Sequence, residues 1–250
     1  MKIANYSFNL YNKDNSPSFE ALKFKNFGKV KLFEDFPIKL KSSEGEKDCF
    51  VKASTDTARY YIDVVNDTDR LLGMSTSNNL KDKSVLYNNI IQNLHKYQNI
   101  QGVGSTMRLG QIIVLLENKK LNKIGLYSMG DAVYFQSKFK FKPAITDYSE
   151  LAGKLEDILV HSNDNRFSQN VQEAKNFLEL NKTKHKPNLK EGNAILDRYL
   201  QKVIANNLHK DTKFHIYSGF DMELAKKDIL ANKDFYNSLF QKYGIDYQIQ

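Results

Sequence analysis

The chain has 250 residues, 41% of them hydrophobic and 26% charged, a balance that excludes a disordered or fibrous chain and fits one large folded domain or two small ones. No apolar run approaches the roughly eighteen residues of a membrane-spanning helix, and the first residues carry no apolar core of signal-peptide length, so a cytoplasmic product is expected. The formal net charge of +8 is carried mostly by lysine; it attracts anionic partners in general and selects none of them.

Taken in order, residues 2–10 read as a first strand, followed by a loop around Pro17 and a short helical candidate at 18–25. Residues 29–33 and 37–41 alternate apolar and polar, the period of a half-buried strand. A charged turn with Gly45 spans 42–48. Strands follow at 49–53, 60–65 and 71–75, separated by Ser/Thr/Asp and Asn/Asp turns. Cys49 is the single cysteine; no intramolecular disulfide is possible, and its Cys-Phe-Val setting reads as core. Asp63, Asp67 and Asp69 read as strand-end and turn residues. This is an antiparallel meander leading into a further strand at 85–94.

A glycine turn, Gly102-Val103-Gly104, then opens a helix with Met107, Leu109, Ile112, Ile113, Leu115 and Leu116 as its apolar positions. Lys119 and Lys120 follow its C-terminal end, where cations suit the helix dipole. Residues 123–128 form a short buried strand. Asp131 is placed to cap a second helix at 132–138, and Pro143 closes the unit. Strand, glycine turn, helix and strand suit phosphate binding. The first N–H groups of a helix lack intrahelical partners, and glycine lets a ligand approach them closely. A P-loop is excluded, because Ser105 and Thr106, rather than Lys-Ser/Thr, follow Gly104. The dinucleotide fingerprint fits poorly, because Met107 stands at its third glycine.

Beyond residue 145 the pattern becomes helical. Residues 148–160 and 169–180 are amphipathic. A basic stretch at 181–190 reads as a linker, and 191–207 is helical again. Residues 213–217 look strand-like, 222–243 form one or two helices stopped by Gly244, and 245–249 could add a strand. The five histidines, His95, His161, His185, His209 and His215, show no metal-ligand spacing. The organisation expected is residues 1–146 as one domain and 147–250 as a mostly helical extension.

Two stretches carry a family resemblance. Asn99-Ile100-Gln101-Gly102-Val103-Gly104 resembles the Arg/Gln-x-x-Gly-x-Gly/Ala turn of the GCN5-related N-acetyltransferase (GNAT) superfamily. Ala132-Val133-Tyr134-Phe135, running on to Phe139-Lys140-Phe141, resembles that superfamily's Ala-x-x-Phe-Tyr-x-x-x-Gly-Phe helix. The match covers about sixty residues. Asn99, Gln136 and Lys140 depart from the family's Arg/Gln, Tyr and Gly. The resemblance implies an α/β (α+β) fold: a mixed sheet with an antiparallel N-terminal half and an acyl-CoA-binding βαβα half. It implies acetyl-CoA, or another acyl-CoA, as co-substrate and an amine as acceptor, with no metal. The pyrophosphate would lie on the N–H groups of Ile100, Gln101, Gly102, Val103, Gly104 and Ser105. The strand end at Ile91 to Leu94 would offer an N–H to the thioester carbonyl. His95 and Tyr87 are the candidates for deprotonating the amine, and Tyr134 or Tyr127 for protonating the thiolate. The alternatives are a non-catalytic acyl-CoA-binding protein of the same fold and a basic adaptor for nucleic acid or protein.

Overall fold

The computed structural model describes residues 36–56, 58–80, 84–94 and 100–250. The expected elements at 2–10, 18–25 and 29–33, together with His95 and Asn99, lie outside the described residues.

Four strands form the meander: β1 (Phe36–Ser42), β2 (Gly45–Thr55), β3 (Arg59–Asn66) and β4 (Leu71–Leu80). Ser42 pairs with Gly45, so the turn between β1 and β2 is only two residues, and most of the stretch expected to be turn is strand. Gly45 has φ +112°, which suits it to this tight turn. Alternation sends Ile38, Leu40, Cys49, Val51, Ala53, Ile62, Val64 and Leu72 to one buried face. β5 (Val85–Asn93) continues the antiparallel series.

Helix α1 (Val103–Glu117) crosses that buried face and returns the chain to β6 (Lys123–Ser128), which runs parallel to β5. The sequence suggests one apolar side for α1. In the structure Val103 and every residue from Thr106 to Leu115 are buried. The close approach explains this. A Cβ on Gly73 would lie 2.5 Å from the Val103 Cγ1, and one on Gly110 would lie 3.0 Å from the Ile62 Cδ1.

Helix α2 (Ala132–Lys138) follows as expected, and at Pro143, which the sequence reads as closing the unit, the chain forms a short strand, β7 (Lys142–Pro143). Asp131 makes no side-chain cap on α2; its carboxylate instead accepts the Ile216 N–H at 3.0 Å and meets the His215 ring. Helices α3 (Tyr148–Leu159), α4 (Ser168–Asn181) and α5 (Leu189–Ala205) match the amphipathic stretches. They close on Gly192, where a Cβ would stand 2.6 Å from Leu151 and 2.8 Å from Phe177. The basic stretch between α4 and α5 is exposed from Lys182 to Lys186.

The C-terminal part departs from the sequence reading. Residues 213–217 are a 3-10 turn and loop, and the strand lies later, at β8 (Phe220–Ala225). Helices α6 (Lys226–Ala231) and α7 (Lys233–Lys242) account for the rest of the expected helical run. Residues 245–249 form no strand; the Ile249 N–H is held by the Asn237 side chain. β8 inserts between β6 and β7, so the described sheet has the order β1-β2-β3-β4-β5-β6-β8-β7. β5 and β6 are its parallel pair, and the other neighbours run antiparallel. The architecture is α+β. Among the described residues no helix is long and apolar enough to cross a membrane.

The face of the sheet turned away from α1 carries a testable charge. Asp63 on β3 pairs with Lys52 on β2, and partial burial pushes its carboxyl up to about 6 despite that lysine. Between the unfolded value near 3.8 and 6, the folded chain binds more protons than the unfolded one, so stability falls as pH rises through that window. Asp63→Asn removes the loss. With a discount for the exposed part of the side chain, stability is expected to rise by about 1 kcal/mol above pH 7, the advantage disappearing near pH 4. Urea unfolding at both pH values checks this; a variant less stable than wild type above pH 7 would count against it.

Candidate functional site: the opening between two parallel strands

β5 and β6 separate before β5 ends. Their pairing covers Val85–Asn88 against Lys123–Leu126, whereas β5 runs on to Asn93 along β4 alone. The register with β4 shifts at the same level. Ser77 faces Asn88 but Thr76 faces Ile90, which leaves Asn89 as an extra residue. Such a bulge bends and twists its strand. The Leu94 N–H donates to the Leu72 carbonyl at 2.9 Å. By the alternation of an antiparallel ladder, residues 90, 92 and 94 therefore turn their backbone to β4, and the Ile91 N–H points into the gap.

The start of α1 faces the same gap. Gly102 has φ +94°, and a Cβ there would come within 3.0 Å of the Tyr243 ring and 3.3 Å of Leu40, so glycine is required. The Gln101 N–H is tied to the Lys41 carbonyl at 2.8 Å, and the first intrahelical bond is Thr106 N–H to the Gly102 carbonyl, also 2.8 Å. Val103, Gly104 and Ser105 precede that first bond, and no side chain caps the helix. Their N–H groups edge a cleft of about 370 Å³. Ile91 and Asn93 wall it on the strand side, residues 100–105 on the helix side, and Phe135 of α2 on the third.

Beneath the gap lies a buried polar cluster. Arg108 of α1 is 0% exposed, donates to the Gln111 Oε1 and to the Asn88 Oδ1 (3.3 Å), and stacks 4.7 Å over the Phe141 ring. Burial pulls its guanidinium down to about 9, still protonated at neutral pH. The Gln111 amide donates to the hydroxyls of Ser75 (3.0 Å) and Ser77 (2.9 Å). Those serines therefore face α1, and so do their partners Ile91 and Asn88.

Tyr87, Tyr127 and Asp221 occupy the opposite face. Tyr87 is opposite Gly125, and Tyr127 is opposite Asp221 on β8. Burial raises the Asp221 carboxyl above its ordinary value, and burial first, then the Asp221 charge, raises the Tyr87 phenol. Tyr127 is half exposed and Met129 beyond it is exposed. The gap is thus two-sided, with helix N–H groups on one face and two phenols with a carboxylate on the other.

Of the residues read from the sequence, Ile91, Ile100, Gln101, Gly102, Val103, Gly104 and Ser105 all line one cleft. Leu94 is not among the lining residues, and its N–H is already bonded to the Leu72 carbonyl. Tyr134 is turned away: its buried hydroxyl donates to the Phe214 carbonyl at 2.6 Å, and burial, then Asp131, raises its pKa well above that of a free phenol. Gln136, at the family's tyrosine position, is buried as well. Asn88, Arg108, Gln111 and Asp221 were not singled out by sequence, and Phe135 entered only as a motif position. Arg108 and Gln111 are polar interruptions in the most apolar stretch of α1, and that irregularity was a usable signal. Among the described residues no group of three or more His, Cys, Asp or Glu side chains is placed to hold a metal ion. No family model matches this sequence, and no curated protein is significantly similar to it.

Proposed function

We propose that the protein is an acyl-CoA-dependent N-acetyltransferase of the GNAT type that passes an acetyl group to an amine by direct attack. The observation that carries this reading is the convergence of a strand N–H directed away from β4, at Ile91, and an uncapped helix start, at Val103 to Ser105, on a single cleft between diverging parallel strands. In the proposed mechanism the CoA pyrophosphate lies on the helix N–H groups, where backbone donors and the helix dipole both favour anions. The thioester carbonyl accepts from the Ile91 N–H, which stabilises the oxyanion formed as the amine attacks. The amine enters from the opposite face, between Tyr87 and Tyr127. Asp221, whose raised pKa makes it a better base than an ordinary carboxylate, takes the amine proton. The carbon–sulfur bond then breaks and CoA leaves as a thiolate, which needs little help.

The non-catalytic acyl-CoA-binding reading has one observation in its favour: α2 presents Phe135 to the cleft and keeps both Tyr134 and Gln136 buried, so it offers no acid to the thiolate. Two measurements separate the readings. CoA at about a hundred times its Kd is expected to stabilise the fold by about 2.7 kcal/mol, raising Tm by roughly 5–10 °C. Thiol release from acetyl-CoA that depends on an added amine then distinguishes turnover from binding. No Tm shift at millimolar CoA would falsify both readings.

A further inference from the structure

We propose that Arg108, Asn88 and Gln111 are positioning residues that aim the Ile91 N–H at the thioester, an inference that rests on the acyl-CoA reading above. The argument starts from a cost. Arg108 is fully buried, and among the described residues no carboxylate pairs with it and no acceptor meets its Nε. Burying a cation in this way is expensive, and an apolar side chain of similar volume usually serves packing as well or better. Exceptions of this kind concentrate at functional sites.

The hydrogen bonds of the cluster all end at one place. The guanidinium holds the Asn88 Oδ1. That fixes which way the Asn88 amide points, and its Nδ2 donates to two backbone carbonyls, Thr76 (3.0 Å) and Ile90 (2.9 Å). Thr76 and Ile90 face each other across the register shift. One side chain therefore clasps both strands at the bulge. Gln111 holds the same segment from below through Ser75 and Ser77, the residues on either side of Thr76. The peptide after Ile90 is the one whose N–H belongs to Ile91. Fastening the Ile90 carbonyl toward β4 sets the direction of the next N–H, because both sit on one planar peptide unit. Arg108 is not among the residues that line the cleft, and its side chain acts through Asn88.

The test compares the affinities of two ligands for each variant by calorimetry. CoA reports the pyrophosphate cradle, and acetyl-CoA adds the thioester carbonyl. Wild type is expected to bind acetyl-CoA about fivefold more tightly than CoA, the effect of one well-aimed hydrogen bond. Arg108→Met, which fills similar volume without charge, is expected to bind CoA within twofold of wild type and to lose the preference for acetyl-CoA. Arg108→Lys should restore part of the preference. A purely structural role would weaken both ligands together. A preference retained in Arg108→Met overturns the proposal, and so does a wild type that binds both ligands equally. If wild type binds neither, the acyl-CoA reading itself falls. Should Arg108→Met not fold, Asn88→Ser carries the same comparison, and failure of both variants to fold assigns the cluster to stability alone and overturns the proposal.

Discussion

Gly104→Val is expected to weaken CoA binding at least tenfold while leaving Tm within about 3 °C of wild type. Gly104 lies in the first turn of α1 and has no positive φ, so backbone strain is not the reason. The reason is space. A Cβ there would meet only the Phe135 ring, at 3.6 and 3.9 Å, which is ordinary contact across the cleft. The added methyls of valine would therefore stand in the cleft, in front of the N–H groups of Val103 to Ser105. Valine is at least as good a helix former as glycine, so the fold loses little. A tenfold loss corresponds to about 1.4 kcal/mol, modest for a group placed where a phosphate must come close. Gly102→Ala makes the useful contrast. Its φ of +94° and the Tyr243 ring at 3.0 Å mean that the methyl strains the fold before any ligand is added. Calorimetry with CoA and a thermal scan on both variants check the pair. Wild-type affinity in a folded Gly104→Val protein would move the phosphate site elsewhere.

The central unit from β5 to β7 was legible because each element there carries a local signal. Short β-permissive apolar runs mark the strands, Gly102 and Gly104 mark the start of α1, and Pro143 marks the end. The cleft residues followed from that order, since a ligand-binding helix start after a strand brings the two together. What was not legible depends on pairing between distant strands. The bulge at Asn89 exists only relative to β4, so the sequence of β5 alone does not reveal it. Tyr134 looked available because its neighbours match a motif. The Phe214 carbonyl that occupies its hydroxyl lies eighty residues on. β8 was missed for a different reason. Phe220-Asp-Met-Glu-Leu-Ala alternates plainly, with Phe220, Met222 and Leu224 buried, but it runs directly into α6, and residues 222–243 read as one or two helices. Gly219 marks its start only in three dimensions, where a Cβ would fall 2.0 Å from the Ser128 carbonyl oxygen.

The position of β8 leads to the largest expected effect. A chain ending at Thr146 is expected to show no cooperative unfolding transition, even though it contains every residue lining the cleft. β8 covers the full length of β6, from Lys123 opposite Ala225 to Ser128 opposite Phe220. Without it, β6 becomes an open edge and its N–H and C=O groups lose their partners on one side. The truncation also removes Phe220, Met222, Leu224, Ile229, Tyr236 and Phe240, none more than 1% exposed. At roughly 1.5–3 kcal/mol each, six such side chains contribute on the order of 9–18 kcal/mol. That is as large as the roughly 5–15 kcal/mol net stability of a whole domain. Hydrogen bonds go with them, among them the Tyr236 hydroxyl to the Phe139 carbonyl at 2.9 Å and the Ala144 N–H to the Asp221 carbonyl at 2.8 Å. A cut elsewhere in the same region should behave differently. Limited trypsin digestion at Lys182 or Lys184 falls in the exposed loop between α4 and α5, and the two fragments are expected to stay associated, because no strand is removed. Thermal scans of the truncated chain and gel filtration of the nicked one read the two outcomes. A truncated chain that melts cooperatively and binds CoA would show that residues up to Thr146 fold alone, and that β8 is an addition to the sheet rather than one of its supports.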